Sequence, residues 1–116
     1  MNKLLIVAAV MIMLVSLACR ASDTIEQGKA AVEKHGCAAC HGSDFNSPID
    51  PSYPKLAGQH KDYLVHALTT YQRGADAPYG RVHAIMGGQA KALSATEIQQ
   101  IAAYLHSLPG SLVLRK

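Results

Sequence analysis

The chain has 116 residues, of which 49% are apolar and 16% are charged. These numbers suit one small domain, and no second apolar stretch reaches the roughly 20 residues of a membrane span, which excludes two domains and a multi-span membrane protein. The formal net charge is +3, and it is +1 without residues 1–21, which hold two basic residues and no acidic one. Because this net charge is close to zero and the sequence has no run of basic residues, nucleic acid is not an expected partner.

Residues 1–21 are typical of an export signal. Lys3 provides a positive charge, Leu4 to Val15 is an unbroken apolar run of twelve residues, and small residues follow the run. We predict cleavage after residue 18 or after residue 21, which leaves a domain of residues 22–116. A retained membrane anchor is the alternative, although the run is shorter than a typical span.

Cys19 allows a second interpretation of the same leader. Leu17-Ala18-Cys19 is similar to the end of a bacterial lipoprotein signal, in which the cysteine is lipidated and becomes the mature N-terminus. Such signals favour leucine three residues before the cysteine, where this chain has Ser16. A lipid on Cys19 would be the only contact with a membrane, and both interpretations place the domain outside the cytoplasm, in the periplasm.

The hydrophobic pattern after the leader predicts helices joined by loops, with no strand pattern and no internal repeat. Asp23 to His35 predicts a first helix, and His60 to Arg73 predicts a second one, each followed by glycine. The third begins with the capping box Ser94-Ala95-Thr96-Glu97 and ends at Pro109.

Polar and turn-forming residues fill the remaining positions. Residues 42–59 contain three prolines and predict a long ordered loop, and residues 75–92, with one proline and three glycines, predict another. The polar face of the second helix is expected to be exposed to water, and its residues are Asp62, His66, Thr69 and Thr70.

The strongest chemical signal is Cys37-Ala38-Ala39-Cys40-His41, the attachment signature of c-type haem. On one helical turn, side chains at i and i+3 leave from the same face and can reach both vinyl groups of one porphyrin, while His41 can turn towards the iron. A disulfide, a thioredoxin-like redox pair and a zinc half-site are the alternatives. The redox pair lacks a βαβ unit, and zinc lacks two further soft ligands.

The small aliphatic content also favours a haem. Residues 22–116 include 17 Val, Ile and Leu residues, one Phe and no Trp. That is little apolar volume for a domain whose size already limits how much surface it can bury. A large, flat, apolar cofactor would complete the core.

A second iron ligand has to come from elsewhere in the chain. Met86 is the only methionine outside the leader, and it lies in the second predicted loop, beside two glycines. We interpret Met86 as the sixth ligand of the iron and not as core filler. His83 is the rival ligand. The remaining histidines are interpreted as solvated or helix-terminal residues: His35, His60, His66 and His106.

Three stretches, GKAAVEKHGCAACHG, YPKLAGQHKDYLVHAL and MGGQAKALSATEIQQIAAYLHSL, resemble class I c-type cytochromes, specifically small monohaem bacterial periplasmic cytochromes and single halves of their dihaem relatives. The resemblance spans residues 25–108. It implies an all-α cytochrome c fold of three to four helices and long loops around one covalent haem c. The site residues that it implies are Cys37 and Cys40 for attachment, His41 and Met86 as axial ligands, and Pro54, whose carbonyl accepts a hydrogen bond from His41.

The same resemblance implies that the first and last helices cross, with Gly28 allowing a close approach near Tyr104 and Leu105. The expected function is that of a periplasmic electron carrier between extracytoplasmic redox proteins, and not an enzyme. A cytochrome subunit of a larger extracytoplasmic dehydrogenase or oxidase, and a haem protein with an open iron, are the alternatives. The stretch PYGRVHAI matches no family pattern, so Tyr79 and Arg81 are equally interpretable as haem-propionate contacts or as an exposed loop face.

Overall fold

The structure is a computed structural model that describes residues 2–76 and 78–111, and no β-strand occurs among them. The α-helices are α1 (Lys3–Lys34), α2 (Ala38–His41), α3 (Lys61–Arg73), α4 (Ala84–Lys91) and α5 (Ala95–Ser107), with a 3-10 turn at Gly74–Asp76. The all-α prediction is confirmed. The short helices α2 and α4 raise the number of helices above the three to four expected. The last residues of the predicted domain, 112–116, lie outside the described part.

The leader and the predicted first helix form one continuous helix, α1. Its large apolar side chains between residues 4 and 17 are 52–86% exposed, and Cys19 is exposed as well. By length and composition α1 could cross a membrane, a property that an N-terminal export signal shares. The helix continues through the predicted boundary near residue 22, and its side chains first become partly buried at Thr24.

The C-terminal part of α1 crosses α5, and this crossing is the most extensive contact between helices in the described chain. A Cβ added at Gly28 would collide with the carbonyl oxygen of Gln100 and would lie 2.7 Å from Cβ of Tyr104. The predicted close approach at Gly28 is thus confirmed. The apolar residues buried along the two helices are Ala31, Val32, Ile98, Ile101, Ala102 and Leu105.

Glu97 joins the start of α5 to the end of α1. The predicted capping box is present: Oγ of Ser94 accepts from the N–H of Glu97 at 3.0 Å, and Oε2 of Glu97 accepts from the N–H of Ser94 at 2.9 Å. Its other oxygen, Oε1, accepts from Nζ of Lys34 at 2.9 Å and from Nε2 of His35 at 3.1 Å. These hydrogen bonds, led by that of Lys34, lower the pKa of Glu97 to about 2.

Helix α3 begins after His60 and ends at Gly74, close to the predicted bounds. One residue of its predicted polar face, Thr70, is buried, so its expected exposure is wrong. The hydroxyl of Thr70 donates to the carbonyl of Ala67 at 2.9 Å, which satisfies its polar atom inside the helix. A threonine that bonds within its own helix can therefore lie in the interior.

Helix α4 occupies part of the segment that was predicted to be a loop. Its two glycines look like turn signals in the sequence, yet both lie inside the helix. Nε2 of Gln72, on α3, donates to the carbonyl oxygens of Ala90 at 2.8 Å and Leu93 at 2.7 Å. These bonds fix the end of α4 against α3, and such tertiary contacts commonly override a weak helix propensity.

We predict that Gly28→Ala lowers the free energy of unfolding by about 1–3 kcal/mol, because the added methyl group must push α1 away from α5. Gly88→Ala is the matched control. Nothing lies within 4 Å of a Cβ at Gly88, so replacing a poor helix former should leave stability unchanged or raise it by up to about 1 kcal/mol. Urea unfolding of both variants measures the difference, and an equal loss in the two would contradict the close crossing.

The lowered pKa of Glu97 predicts an acid-sensitive contribution to stability. Because the pKa in the folded state is about 2 and the ordinary value is 4.5, the contacts of Glu97 stabilise the fold fully above the ordinary value and are lost as the pH falls towards the lower one. Glu97→Gln should be less stable than the native protein at neutral pH, and the difference should shrink in acid. Urea unfolding of both proteins at neutral pH and in acid measures the difference in their free energies of unfolding. Glu26→Gln, at an exposed position, is the control. A difference for Glu97→Gln that stays the same at both pH values would refute the prediction.

Candidate functional site

The two cysteines and the histidine of the Cys37–His41 motif are held on one helical turn. Cys37 is the N-cap of α2, and Cys40 and His41 are its last residues. Gly36 and Gly42 flank the turn with φ values of 65° and 88°, a left-handed conformation that favours glycine. A Cβ at Gly42 would also collide with the backbone of the following loop. The glycines thus let the chain enter and leave α2 sharply while both thiols line one cavity.

Cys37 and Cys40 are half-buried free thiols. Burial is the main cause that raises the pKa of Cys37, so this thiol is protonated at neutral pH. Within residues 2–76 and 78–111, no group of three or more His, Cys, Asp or Glu residues is arranged to hold a metal ion, and no strand is present to build a thioredoxin-like unit. These observations argue against the zinc and redox-pair alternatives.

His41 is 5% exposed, and its Nδ1 lies 2.9 Å from the carbonyl oxygen of Pro54. A carbonyl oxygen can only accept a hydrogen bond, so Nδ1 carries a proton, and in the neutral ring Nε2 then keeps its lone pair. The contact expected between His41 and Pro54 is therefore present. This is the tautomer that an imidazole needs in order to coordinate a metal through Nε2.

Pro54 is held in place by a loop that is tied to the core at Phe45. The carbonyl oxygen of Phe45 accepts from the N–H groups of Leu56 at 2.8 Å and Ala57 at 3.1 Å. Its buried ring meets the ring of Tyr104, on α5, edge to face at a centroid distance of 6.3 Å. The predicted ordered loop is thus fixed on both sides of Pro54, and it carries an acceptor to the imidazole.

The motif opens into a cavity of about 290 Å³ among α2, the proline-containing loop and helices α3, α4 and α5. Two thiols, the imidazole of His41 and the thioether of Met86 reach this cavity. The donor set and the apolar walls fit a haem attached through thioethers, with nitrogen and sulfur available to its iron. The aliphatic residues that line the cavity are Leu56, Leu64, Ala67, Leu68, Ile85, Ala90, Leu93, Ile101 and Leu105.

Met86 lies in the first turn of α4 and is half-buried, so its expected location in a loop is wrong. His83, the rival ligand, is the N-cap of α4 and lines the same cavity. Its Nδ1 accepts from the N–H of Met86 at 3.3 Å. An imidazole that accepts at Nδ1 carries its proton at Nε2 and has no lone pair there for a metal. The tautomer of His83 is thus the reverse of that of His41.

The sequence left open whether Tyr79 and Arg81 contact the haem propionates. In the described part of the chain, Arg81 lines the cavity and Tyr79 does not. Tyr79 is 88% exposed and points to the surface of the molecule, whereas Arg81 lines the cavity together with Tyr63 and Tyr71 of α3. Sequence reasoning did not connect these three residues. The available signal was the separation of the two tyrosines by eight residues, which places them on one face of a helix.

A helical domain in which a Cys-X-X-Cys-His turn opens into an apolar cavity defines a c-type haem protein. Residues 25–109 match the cytochrome c family, and the chain belongs to that family. It therefore carries covalently attached haem c, with Cys37 and Cys40 as the attachment residues.

Two similar proteins are named cytochrome c4. That of Stutzerimonas stutzeri is 40% identical over 97% of this chain and 53% of its own length, and that of Pseudomonas aeruginosa is 41% identical over 92% and 49%. The cytochrome subunit of sulfide dehydrogenase of Chlorobaculum tepidum is 30% identical over 72% of this chain and 70% of its own. The chain spans about half the length of the cytochrome c4 relatives that it matches.

We predict that the haem is required for folding, because the 17 Val, Ile and Leu residues of residues 22–116 are too few to form the core without it. Replacing both Cys37 and Cys40 by Ala should give a protein without covalent haem that no longer unfolds cooperatively. Glu26→Gln, at an exposed position on α1, is the control and should keep both haem and cooperativity. Absorption spectra and thermal unfolding measure the two properties. A compact, cooperatively melting double variant would contradict the prediction.

Proposed function

We propose that this chain is an extracytoplasmic electron carrier that moves one electron at a time through its haem c, with His41 and Met86 as the axial ligands. The observation that carries this proposal is the opposite tautomers of the two histidines at the cavity. His41 is held with a lone pair on Nε2 by the carbonyl of Pro54. His83 accepts at Nδ1 from the N–H of Met86, which places its proton on Nε2 and supports the Met86 thioether over His83 as the second ligand.

Haem bound in this cavity supplies an iron that gains or loses a single electron. The residues around the cavity are held in place, so little has to rearrange when the electron moves. Pro54 orients His41, and Gln72 fixes the end of the helix that carries Met86. The apolar walls keep water away, and together with a thioether ligand they favour the less charged reduced state. If His41 and Met86 both bind the iron, they would leave it no position for a substrate, which is consistent with a carrier and not an enzyme.

For localisation, we propose that residues 1–21 direct export to the periplasm and are removed after residue 18 or 21, leaving residues 22–116. The exposed apolar side chains at the start of α1 support this, since they have no place in the core. A lipid on Cys19 is the alternative. Mass spectrometry of the protein from its native membrane and periplasmic fractions separates the two, because a diacylglyceryl group adds mass to an N-terminal cysteine.

The partners in this proposal are extracytoplasmic redox proteins. A second candidate function, the cytochrome subunit of a larger dehydrogenase, is supported by the relative whose name describes it as a subunit of sulfide dehydrogenase. Native gel filtration distinguishes the two functions. A carrier elutes alone at the size of a small cytochrome, whereas a subunit elutes with a catalytic protein.

We predict that Met86→Ala opens the iron to carbon monoxide, lowers the reduction potential and removes the weak far-red absorption band of ferric iron bound to thioether sulfur. His83→Asn is the matched variant, since asparagine preserves an N-cap acceptor for α4, and it should keep the band. Absorption spectra with and without carbon monoxide measure both. If the native protein lacks the band and His83→Asn exposes the iron, the ligands are two histidines and the assignment is wrong.

A further inference from the structure

Arg81 is held in a fixed position at the cavity by two aromatic rings. Its Cζ lies 5.5 Å from the ring centroid of Tyr63 and 5.6 Å from that of Tyr71. Nη2 donates to the hydroxyl of Tyr63 at 3.0 Å, and the backbone N–H donates to the carbonyl of Thr70 at 3.3 Å. Contacts with aromatic faces favour a cation, and the planar guanidinium suits such stacking better than an ammonium group would. Contacts with the protein alone thus hold this side chain in one orientation.

This cation has no acidic partner within the part of the chain that the structure describes, where the acidic ends of salt bridges all belong to Glu97. The hydroxyl of Tyr63 accounts for one N–H donor of Arg81, and a guanidinium has five in a planar fork. The remaining donors match a carboxylate, which binds such a fork through two oxygens. A stacked guanidinium with free donors at the wall of a mostly apolar cavity is therefore suited to bind an anionic group inside that cavity.

We propose that Arg81 is a positioning residue that binds a propionate carboxylate of the haem and keeps that carboxylate ionised. The proposal rests on the haem site described above. Haem is an apolar plate with two carboxylates, and one guanidinium at the cavity wall pairs with one of them. An ionised carboxylate near the iron stabilises the oxidised state, and a neighbouring cation offsets that effect, so Arg81 raises the reduction potential and lowers the pKa of the propionate.

Other groups at the cavity must be distinguished from this pair in a pH titration. The titratable or charged side chains that line the cavity besides the haem-binding residues and the two tyrosines are His35, Tyr53, Lys55 and His83. His35 already bonds to Glu97, and His83 to the backbone of Met86. Lys55 lies on the loop next to Pro54 and is the second cation of the cavity wall. A change that appears only on replacement of Arg81 is therefore assigned to its own partner.

The test is the reduction potential of the holoprotein as a function of pH. In Arg81→Gln the potential should be lower than in the native protein at neutral pH, and its fall with rising pH should begin at a higher pH, because the freed propionate titrates there. Arg81→Lys keeps the charge but not the planar fork, so it should shift both quantities in the same direction by less. It also serves as the second variant if Arg81→Gln does not fold. Arg73→Gln, at the exposed end of α3, is the control and should match the native protein.

Two results would overturn the proposal. If the pH profile of Arg81→Gln matches that of the native protein while its haem is attached, Arg81 does not face a propionate. If the potential of the isolated protein is unchanged and only electron transfer to a partner slows, the carboxylate that Arg81 meets belongs to the partner surface. Mass and absorption spectra of the same samples report haem attachment and the thioether band, so a failure of the haem site itself is seen separately from a failure at Arg81.

Discussion

The hydrogen bond from Nδ1 of His41 to the carbonyl of Pro54 is the interaction on which the rest of the site depends. It selects one tautomer, and that tautomer decides which ring nitrogen is available to a metal. The bond spans 13 residues, so it requires both an α2 turn that presents the imidazole and a loop that presents the carbonyl. Phe45 meets the second requirement, because one buried ring and one backbone oxygen hold the loop against α5. The core is therefore arranged to fix an acceptor and not only to exclude water.

On the opposite side of the cavity, hydrogen bonds likewise fix the segment that carries the proposed iron ligand. Helix α4 carries Met86, and it is fixed at its start by the side chain of His83 and at its end by that of Gln72. Neither contact uses the thioether, whose sulfur is left for a ligand role. Polar side chains thus hold the backbone, while the groups proposed to meet the iron make no competing hydrogen bonds. This division allows an apolar cavity to be built with very few buried polar atoms lacking a partner.

Sequence reasoning found the features that depend on local chemistry. The Cys37–His41 motif, the capping box at Ser94 and the close crossing at Gly28 all follow from residue types at fixed spacing. It failed where tertiary contacts decide the outcome. Helix α4 contains two glycines and forms because Gln72 reaches it from another helix, and Thr70 is buried because its hydroxyl bonds within α3. The sequence left the role of Arg81 open for the same reason, because the two tyrosines that hold it come from a different segment of the chain.

The crossing of α1 and α5 brings together the two ends of the folded domain, and this has a consequence for the order of events in biogenesis. Ile101 and Leu105 form part of the cavity wall, and both lie on α5, the last helix of the described chain. The wall cannot close until that helix has emerged and packed against Gly28. Cys37 and Cys40, by contrast, emerge early and need only one helical turn to be correctly spaced. The two thiols are therefore correctly spaced before α5 has packed, and docking of this last described helix completes the wall of the cavity.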